Sequence, residues 1–351
     1  MAILVLGDTH IGNHIQFGGE TVEGLNRRCK EIINAIRLTV EEAKRDHGVT
    51  DVLQIGDFFD NARPNFAVLC AAMELIKSSG LRWHIIAGNH DRAGFNAPCS
   101  ISPLGELPNV WTYEKVARTE ICGIPFVMVP YIGSDSAVAL SQAQKRIDEI
   151  GSTDTIIPCH YGFVEYPSRS DHAKRSDLVS YKNTTYLFGH EHCSRTELDI
   201  LNSNGRKARA ISVGSFAGVS FHDSADSYRS FIISKKSGRI CTAEFHNRHA
   251  PIFVTADDAR TVLEFRHSNP EAPLYVRGVR GVENAAREVC AAGYTEHLRK
   301  TGNLENLRKE LNVTVDSDVL VEAVMHVTPN LEEQELVYAE ALRSMEKHEN
   351  R

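Results

Sequence analysis

Apolar and polar positions over the first 90 residues follow the order strand, helix, strand, helix, strand. Short apolar runs predict strands at 3–6, 51–55 and 82–86, and longer periodic segments predict helices at 25–44 and 65–78. The apolar positions of the first helix recur at helical spacing and form one stripe: Leu25, Cys29, Ile32, Ile33, Ile36, Val40 and Ala43. A helix with such a stripe can pack on a sheet, so the pattern predicts a βαβαβ unit.

The middle of the chain is richer in short apolar runs that alternate with turns. A strand-rich stretch at 116–129 precedes a predicted helix at 134–149. Six further strands are predicted after that helix, at 155–158, 185–188, 195–201, 208–213, 230–234 and 240–245. Together with the N-terminal unit, these strands would complete a sandwich of two sheets.

Polar residues follow each of the three N-terminal strands. Right-handed crossovers would make these strands parallel, so that their carboxyl ends share one edge of the sheet. The pairs expected at that edge are Gly7-Asp8, Gly56-Asp57 and Gly88-Asn89. His160 and His190 each follow a later predicted strand in the same way. The pattern therefore predicts a cluster of polar side chains at one edge.

The hydrophobic pattern changes near residue 250. Residues 251–302 alternate strand and helix and predict a small α/β appendage, whose second helix spans 283–292. Residues from 303 onward carry the apolar stripes of helices, with Asp318 placed to cap one of them and Pro329 placed to end it. We therefore predict three parts, with bounds 1–250, 251–302 and 303–351.

Composition limits the class of protein. With 42% hydrophobic and 24% charged residues, the chain has the balance of a soluble globular protein, and no apolar run approaches the length of a membrane helix. The eight cysteines show no C-x-x-C spacing, so we expect reduced thiols in the cytoplasm, that of the host cell if a phage encodes the chain. Most of the net charge of −7 lies in residues 301–351, which hold 11 acidic and 5 basic residues. Bulk charge therefore neither supports nor excludes nucleic-acid binding.

The polar residues at the predicted strand ends are of the oxygen and nitrogen types that bind manganese, iron or zinc. The candidate metal ligands are Asp8, His10, Asp57, Asn89, His160, His190 and His192. Residues i and i+2 of an extended segment point to the same side, so Asp8 with His10, and His190 with His192, could reach one pocket. Two cations bridged by a carboxylate lower the pKa of a water molecule and stabilise an in-line displacement. Phosphate esters are the natural substrates of such a site.

Five motifs occur in order along the chain: GDTH at 7–10, GDFFD at 56–60, GNHD at 88–91, CHYG at 159–162 and GHEH at 189–192. Together they resemble the calcineurin-like metallophosphoesterase family over about residues 1–245. The resemblance implies a four-layer α/β/β/α sandwich with a small α/β cap domain and C-terminal helices. It also implies two metal sites that share Asp57, one formed by Asp8, His10, Asp57 and His192 and the other by Asp57, Asn89, His160 and His190.

The same resemblance assigns a catalytic role to the GNHD motif. His90 matches the family's histidine that meets the phosphate and donates a proton to the leaving oxygen, with Asp91 as its orienting partner. The alternative for His90 is a surface histidine without a role in the reaction.

Other polar residues near the motifs are interpreted without a catalytic role. Four histidines have no matching family position and are interpreted as exposed or core residues: His14, His47, His84 and His172. Cys159 and Cys193 flank ligands, and we assign them to packing. Asp60 could hydrogen-bond a ligand or cap its loop, and Glu191 is expected to be solvated.

Within that family the chain looks most like the SbcD-type DNA repair nucleases, known in eukaryotes and archaea as the meiotic recombination eleven family, and their shorter phage relatives. The similarity lies in GDTHIG near the start, in Asn61-Ala62-Arg63-Pro64 after GDFFD, and in Ser212-Val213-Gly214-Ser215 after GHEH. It implies that residues 251–302 bind DNA, that residues 303–351 bind an SMC-like ATPase of the SbcC type, and that the chain forms a homodimer. Alternatively, the tail packs on its own domain or binds a second copy.

The resulting hypothesis is a manganese-dependent DNA exonuclease and endonuclease subunit of an SbcCD-like repair and recombination complex. It would hydrolyse phosphodiesters by metal-bound hydroxide, with His90 as general acid. The alternative is a small-molecule phosphodiesterase or phosphatase built on the same core. A third hypothesis is a non-catalytic scaffold, against which the filled ligand positions argue.

Overall fold

The chain divides into one unit of residues 1–296 and a second of residues 297–351. The computed structural model describes residues 1–15, 17–94, 98–150, 154–163, 169–178, 184–192, 197–201, 207–221, 223, 228–279 and 282–296. The helices predicted from residue 303 onward lie outside the described residues.

The first sheet has six strands and carries the predicted βαβαβ unit at its centre. Its strands are β1 (Ala2–Leu6), β4 (Val49–Gln54), β5 (Arg82–Ile86), β6 (Val110–Tyr113), β13 (Arg229–Lys236) and β14 (Arg239–His246). They lie in the order β14-β13-β1-β4-β5-β6. Strands β1, β4, β5 and β6 are parallel, and β13 is antiparallel to both β1 and β14. The predicted parallel arrangement is confirmed, so the residues after β1, β4 and β5 meet at one edge.

The second sheet also has six strands. They are β7 (Ala117–Ile121), β8 (Ile124–Met128), β9 (Thr155–Cys159), β10 (Thr184–Phe188), β11 (Glu197–Leu201) and β12 (Lys207–Ser212). They lie in the order β11-β12-β10-β9-β8-β7. The four central strands are parallel, and the edge strands β7 and β11 are antiparallel to their neighbours.

Three helices cover the two sheets and complete four layers. Helices α1 (Arg27–His47) and α2 (Phe66–Ser79) share a buried apolar cluster with the first sheet, and α3 (Ser136–Ile150) shares one with the second. A third cluster lies between the sheets, where Ile3 and Leu53 face Phe126 and Leu187. The predicted α/β/β/α sandwich is confirmed.

Asparagine and glycine set the ends of the two N-terminal helices. The Asn26 side chain accepts the N–H of Cys29 at 2.9 Å and caps α1, and Gly48 ends it with φ of 62°. Helix α1 starts later than predicted because residues 25–26 form β3 (Leu25–Asn26), paired with β2 (Thr21–Val22). Among the described residues, the helices are too short or too polar to cross a membrane.

Residues 252–296 form a small α/β layer. Its parallel strands are β15 (Ile252–Ala256), β16 (Leu274–Gly278) and β17 (Gly293–Glu296), with helices α4 (Ala259–Ser268) and α5 (Glu283–Glu288). The helix predicted at 283–292 was too long. Cys290 has φ of 50°, and the N–H of Ala292 pairs with the carbonyl of Leu274, so the chain turns into β17.

An aromatic contact joins this layer to the sandwich. The buried guanidinium of Arg28 lies over the rings of Phe253 and Tyr275, 4.7 and 4.9 Å from their centroids. The Tyr275 hydroxyl donates to the carboxylate of Glu31. Phe17, in the loop after the GDTH motif, packs edge-on against Phe253 at 5.9 Å. The layer is thus attached to the chain segment that follows the predicted metal ligands.

Candidate metal centre

All seven predicted ligands lie where strands of the two sheets end at a shared edge. Asp8 and His10 follow β1, Asp57 follows β4, Asn89 follows β5, His160 follows β9, and His190 and His192 follow β10. The fold brings together side chains that are as many as 184 positions apart in sequence, Asp8 and His192. The whole predicted set therefore lies at one edge of the fold.

Asp8, His10, Asp57 and His192 form one cluster, in which one oxygen or nitrogen atom of each lies within 4.8 Å of the others. The Nε2 atoms of His10 and His192 are 2.9 Å apart. Oδ2 of Asp8 lies 3.4 Å from Nε2 of His192, and Oδ2 of Asp57 lies 3.8 Å from Nε2 of His10. Four donor atoms thus face one point.

Asp57 also belongs to a second cluster, with His160 and His190. Nε2 of His160 lies 3.2 Å from Oδ1 of Asp57 and 3.0 Å from Oδ1 of Asn89. Nδ1 of His190 lies 2.8 Å from the same oxygen of Asn89. Asp57 offers one oxygen to each cluster and therefore belongs to both.

The polar atoms of this centre fit bound cations. Oδ1 of Asp8 and Nδ1 of His10 are buried and make no hydrogen bond within the described part of the chain. A buried carboxylate oxygen without a donor is costly unless a positive charge lies beside it. The atoms that would bind the ions are carboxylate and amide oxygens and imidazole nitrogens, which suit manganese, iron or zinc. The residues therefore fit a pair of divalent ions.

The family model of the calcineurin-like phosphoesterases matches residues 1–194, which contain every one of these ligands. This chain belongs to that family. The family is one of metal-dependent phosphoester hydrolases, and the His and Asp cluster of this chain is suited to metal ions. A search of curated proteins finds no match.

Solved structures similar to this phosphoesterase include three with low sequence identity. A 5′-nucleotidase precursor from Thermus thermophilus is 11% identical, with a TM-score of 0.41, and the match covers 72% of this chain and 55% of that one. A dimetal phosphatase from Danio rerio is 13% identical, with a TM-score of 0.45 and coverage of 70% and 96%. The NAD nucleotidase of Haemophilus influenzae is 10% identical, with a TM-score of 0.41 and coverage of 83% and 59%. The chain thus spans little more than half the length of two of these proteins.

Three of the predicted ligands have a backbone conformation that residues other than glycine rarely adopt. The φ angles of His10, Asp57 and His190 are 45°, 47° and 74°. The predicted extended segments are therefore wrong in detail, since His10 and His190 sit in left-handed turns. Such strain persists where the surroundings enforce it, and it is concentrated at functional sites. Here it turns side chains from successive motifs toward one centre.

Glycines before the ligands let backbone approach side chains closely. A Cβ atom on Gly56 would lie 2.0 Å from Nδ1 of His160, and one on Gly88 would lie 2.1 Å from Oδ1 of Asp57. Gly56 also has φ of 98°. Any other residue at these two positions would displace a ligand.

His90 lies at the exposed side of the centre, but its orienting contact differs from the predicted one. Its Nδ1 donates to the carbonyl oxygen of Asp60 at 2.8 Å, and its backbone N–H donates to Asp57 at 2.8 Å. The carboxylate of Asp91 does not reach the His90 ring. It accepts the N–H groups of Phe59 at 3.0 Å and Gly88 at 2.9 Å, because the tight loop buries it beneath the ligands. Asp91 thus shapes the loops that carry Asp57 and His90.

Several residues that the motifs did not single out surround the ligands. His14, interpreted as an exposed or core residue, is buried and its Nε2 lies 2.8 Å from the carbonyl oxygen of His10. His172 lies 2.6 Å from Glu191, which we expected to be solvated. Asp171 lies 3.2 Å from Nε2 of His190. Isolated histidines and aspartates carry no motif, so the sequence offered no signal for these contacts.

The remaining flanking residues have ordinary surroundings. Cys159 is buried, as packing requires, and burial raises the pKa of its thiol. His47 is exposed at the end of α1, with its ring against Phe245. His84 is buried away from the centre and stacks on Trp111 at 4.9 Å. Cys193 lies outside the described residues.

Charges in the centre shift the pKa values of the histidines. Burial by itself lowers the pKa of His160, but the carboxylates of Asp57 and Asp8 outweigh it and raise that pKa to about 10. Burial also lowers the pKa of His192, but the hydrogen bond and the charge of Asp8 outweigh it and raise that pKa to about 8. At His10 burial dominates and holds the pKa well below its ordinary value. The carboxylates therefore stabilise positive charge within the centre.

Proposed function

We propose that this phosphoesterase is a DNA nuclease that cleaves phosphodiester bonds. The observation that carries the phosphodiesterase part is that two donor clusters share Asp57 and lie beside the exposed ring of His90. Asp8, His10, Asp57 and His192 would hold one divalent ion, and Asp57, Asn89, His160 and His190 the other. When bound, such a pair neutralises the phosphate charge and lowers the pKa of a water molecule.

The part of His90 follows from its hydrogen bonds. Because Nδ1 donates to the carbonyl of Asp60, Nε2 is the ring nitrogen left to carry a second proton. Its ring lies edge-on to that of His10, with the centroids 4.9 Å apart, so it borders the first cluster. From this position His90 can give a proton to the oxygen that leaves the phosphate.

DNA as the substrate is supported by the resemblance of this chain to SbcD-type nucleases in GDTHIG, in residues 61–64 and in residues 212–215. The α/β layer of residues 252–296 adds support, since it packs through Phe17 on the loop that follows His10. A layer in that place could contact a long substrate. By the same resemblance we propose manganese as the ion, a homodimer as the assembly, and an SbcC-type ATPase as the partner of residues 303–351.

A small-molecule phosphodiesterase or phosphatase is the second candidate. The centre itself suits either substrate, because both reactions displace an oxygen at phosphorus.

The test compares three substrates with the full chain and manganese: end-labelled DNA oligomers, bis(4-nitrophenyl) phosphate and nucleoside monophosphates. A nuclease shortens the oligomers with a kcat/KM that rises with their length, and His90→Leu slows this cleavage at least about a hundredfold. The nuclease proposal fails if oligomers stay intact, also with an SbcC-type ATPase present, while the small esters turn over. The matched control is Glu23→Gln, which removes an exposed charge away from the centre.

A further inference from the structure

Two adjacent residues of one loop, Asp171 and His172, contact two adjacent residues of the GHEH motif. Oδ2 of Asp171 lies 3.2 Å from Nε2 of His190, and Nε2 of His172 lies 2.6 Å from Oε1 of Glu191. The opposite ring nitrogen of His190, Nδ1, faces Asn89 in the metal centre at 2.8 Å. The His190 ring therefore spans the distance between Asp171 and the centre.

We propose that Asp171 is a positioning residue for His190. By accepting the Nε2–H of the ring, its carboxylate leaves the lone pair on Nδ1 free for the ion and holds the ring in one orientation. The inference rests on the proposed metal ligands and not on the identity of the substrate. It assigns a role to a residue outside all five motifs.

Asp171 is itself held firmly in place. Its side chain is 12% exposed, and Nη2 of Arg169 donates to Oδ2 at 2.5 Å. The backbone carbonyl of Asp171 accepts the N–H of Gly162 at 3.0 Å, and the N–H of Ala173 pairs with the carbonyl of Gly162 at 2.7 Å. A positioning residue has to be more rigid than the ligand it orients, and these contacts supply that rigidity.

The loop is also attached to the CHYG motif and to α3. A Cβ atom on Gly162 would lie 1.9 Å from Cδ2 of His172, so the glycine of CHYG makes room for this ring. Ser136, at the start of α3, donates its N–H to the carbonyl of Ser170 at 3.0 Å and its hydroxyl to that of His172 at 2.9 Å. These two elements thus fix the loop against His190.

The other ligand histidines are held differently. At the ring nitrogen that faces away from the other predicted ligands, His160 donates Nδ1–H to a backbone carbonyl, and His10 and His192 have a carboxylate beyond hydrogen-bond range. The distances are 2.8 Å for His160 to Ile55, 3.7 Å for His10 to Asp60 and 3.9 Å for His192 to Asp223. Within the described part of the chain, His190 is the predicted ligand whose outward ring nitrogen lies at hydrogen-bond distance from a carboxylate outside the two clusters. Loss of Asp171 should therefore affect one of the two metal sites.

Manganese titration of the full chain by isothermal calorimetry tests the proposal. Wild type should bind two ions, and Asp171→Ala should weaken one site by about 10- to 100-fold and leave the other unchanged. Asp171→Asn should recover part of the loss, because its amide oxygen can still accept Nε2–H. Asp177→Ala is the matched control, since it removes a carboxylate of the same stretch whose hydrogen-bond partners among the described residues are the Lys174 N–H and the Ser176 hydroxyl.

Two further measurements separate positioning from a general structural role. Thermal unfolding of the metal-free protein should give the same Tm for wild type and Asp171→Ala. With ¹⁵N-labelled histidine and zinc bound, the slowly exchanging Nε2–H signal of His190 should disappear in Asp171→Ala. Unchanged affinity at both sites, or equal weakening of both with a lower Tm, would overturn the proposal. If wild type binds no manganese, the proposed metal ligands themselves are wrong.

Discussion

Strand β4 has a buried aspartate near each end, and the two have different neighbours. Asp51 lies near the amino end of the strand, and Asp57 lies three residues past its carboxyl end; each is 1% exposed. Asp51 accepts hydrogen bonds from Thr50 at 2.7 Å, Arg82 at 2.7 Å and Cys122 at 3.1 Å, all on Oδ2. The guanidinium of Arg82 thus neutralises the carboxylate of Asp51.

At Asp57 the neighbours are a backbone N–H and histidine rings. Its Oδ1 accepts the N–H of His90 and faces His160, and its Oδ2 faces His10. Among the described residues, none of its ion-pair partners is an arginine or lysine. A buried carboxylate needs positive charge nearby. At one end of the strand the fold supplies that charge, and at the other it leaves room for metal ions.

The largest expected effect comes from removing the charge of Asp57. Asp57→Asn should weaken both metal sites together and lower kcat/KM by roughly a thousandfold, because two ions supply several kcal/mol of transition-state stabilisation. Calorimetric titration with manganese and an aryl phosphodiester assay measure the two effects. Asp51→Asn is the control and should bind both ions normally. Retention of one site at wild-type affinity in Asp57→Asn would show that the carboxylate is not shared.

Next in size is the loss of the proton donor beside Asp57. His90→Leu should bind both ions with wild-type affinity yet cleave DNA at least about a hundredfold more slowly. The loss should be smaller with bis(4-nitrophenyl) phosphate, since nitrophenolate leaves without a proton. Equal losses on both substrates, or near-normal DNA cleavage, would contradict the role of His90.

At the opposite end of the strand the effect should fall on stability. Asp51→Ala leaves Arg82 and His84 without their acceptor and should lower the free energy of unfolding by about 3 kcal/mol. Urea unfolding followed by circular dichroism measures the change. Glu120→Ala, an exposed carboxylate of β7, should cost far less. An Asp51→Ala variant that lost metal affinity without losing stability would reverse the comparison.

The smallest expected effect is a pH dependence of stability that Asp51 causes. Burial raises the pKa of Asp51, but hydrogen bonds led by His84 and Arg82 outweigh it and lower that pKa well below the ordinary aspartate value. In the unfolded chain the Asp51 carboxylate binds a proton near pH 4, and in the folded chain it does not. The free energy of unfolding therefore falls as the pH drops. Between pH 5 and 3 wild type should lose about 1 kcal/mol that Asp51→Asn does not lose.

Urea unfolding of the two metal-free proteins at pH 5, 4 and 3 checks this. Comparing wild type with Asp51→Asn removes the contribution of the other titrating groups, which the two proteins share. A stability difference between them that stays constant over this range would show that the Asp51 carboxylate is not stabilised in the fold.

The order of elements and the identity of the clustered residues could be predicted from the sequence. Strand β5 matches its predicted bounds, and the strands that carry Asp8, Asp57 and Asn89 are parallel, as the right-handed crossover requires. These predictions succeed because apolar periodicity is a local property of the sequence and because the clustered residues lie inside the motifs. The helix predicted at 283–292 was too long, because a backbone hydrogen bond from Ala292 to Leu274 draws the chain into the sheet instead.

What the sequence alone determined is which side chains cluster and at which edge they meet. Only the tertiary structure decided what holds them. Asp171 reaches His190 across 19 positions, Asp60 reaches His90 across 30, and Cys122 reaches Asp51 across 71. Asp171 and Cys122 are common residue types outside the motifs, and all three contacts depend on how distant segments pack together. No local pattern of apolar and polar residues encodes those distances.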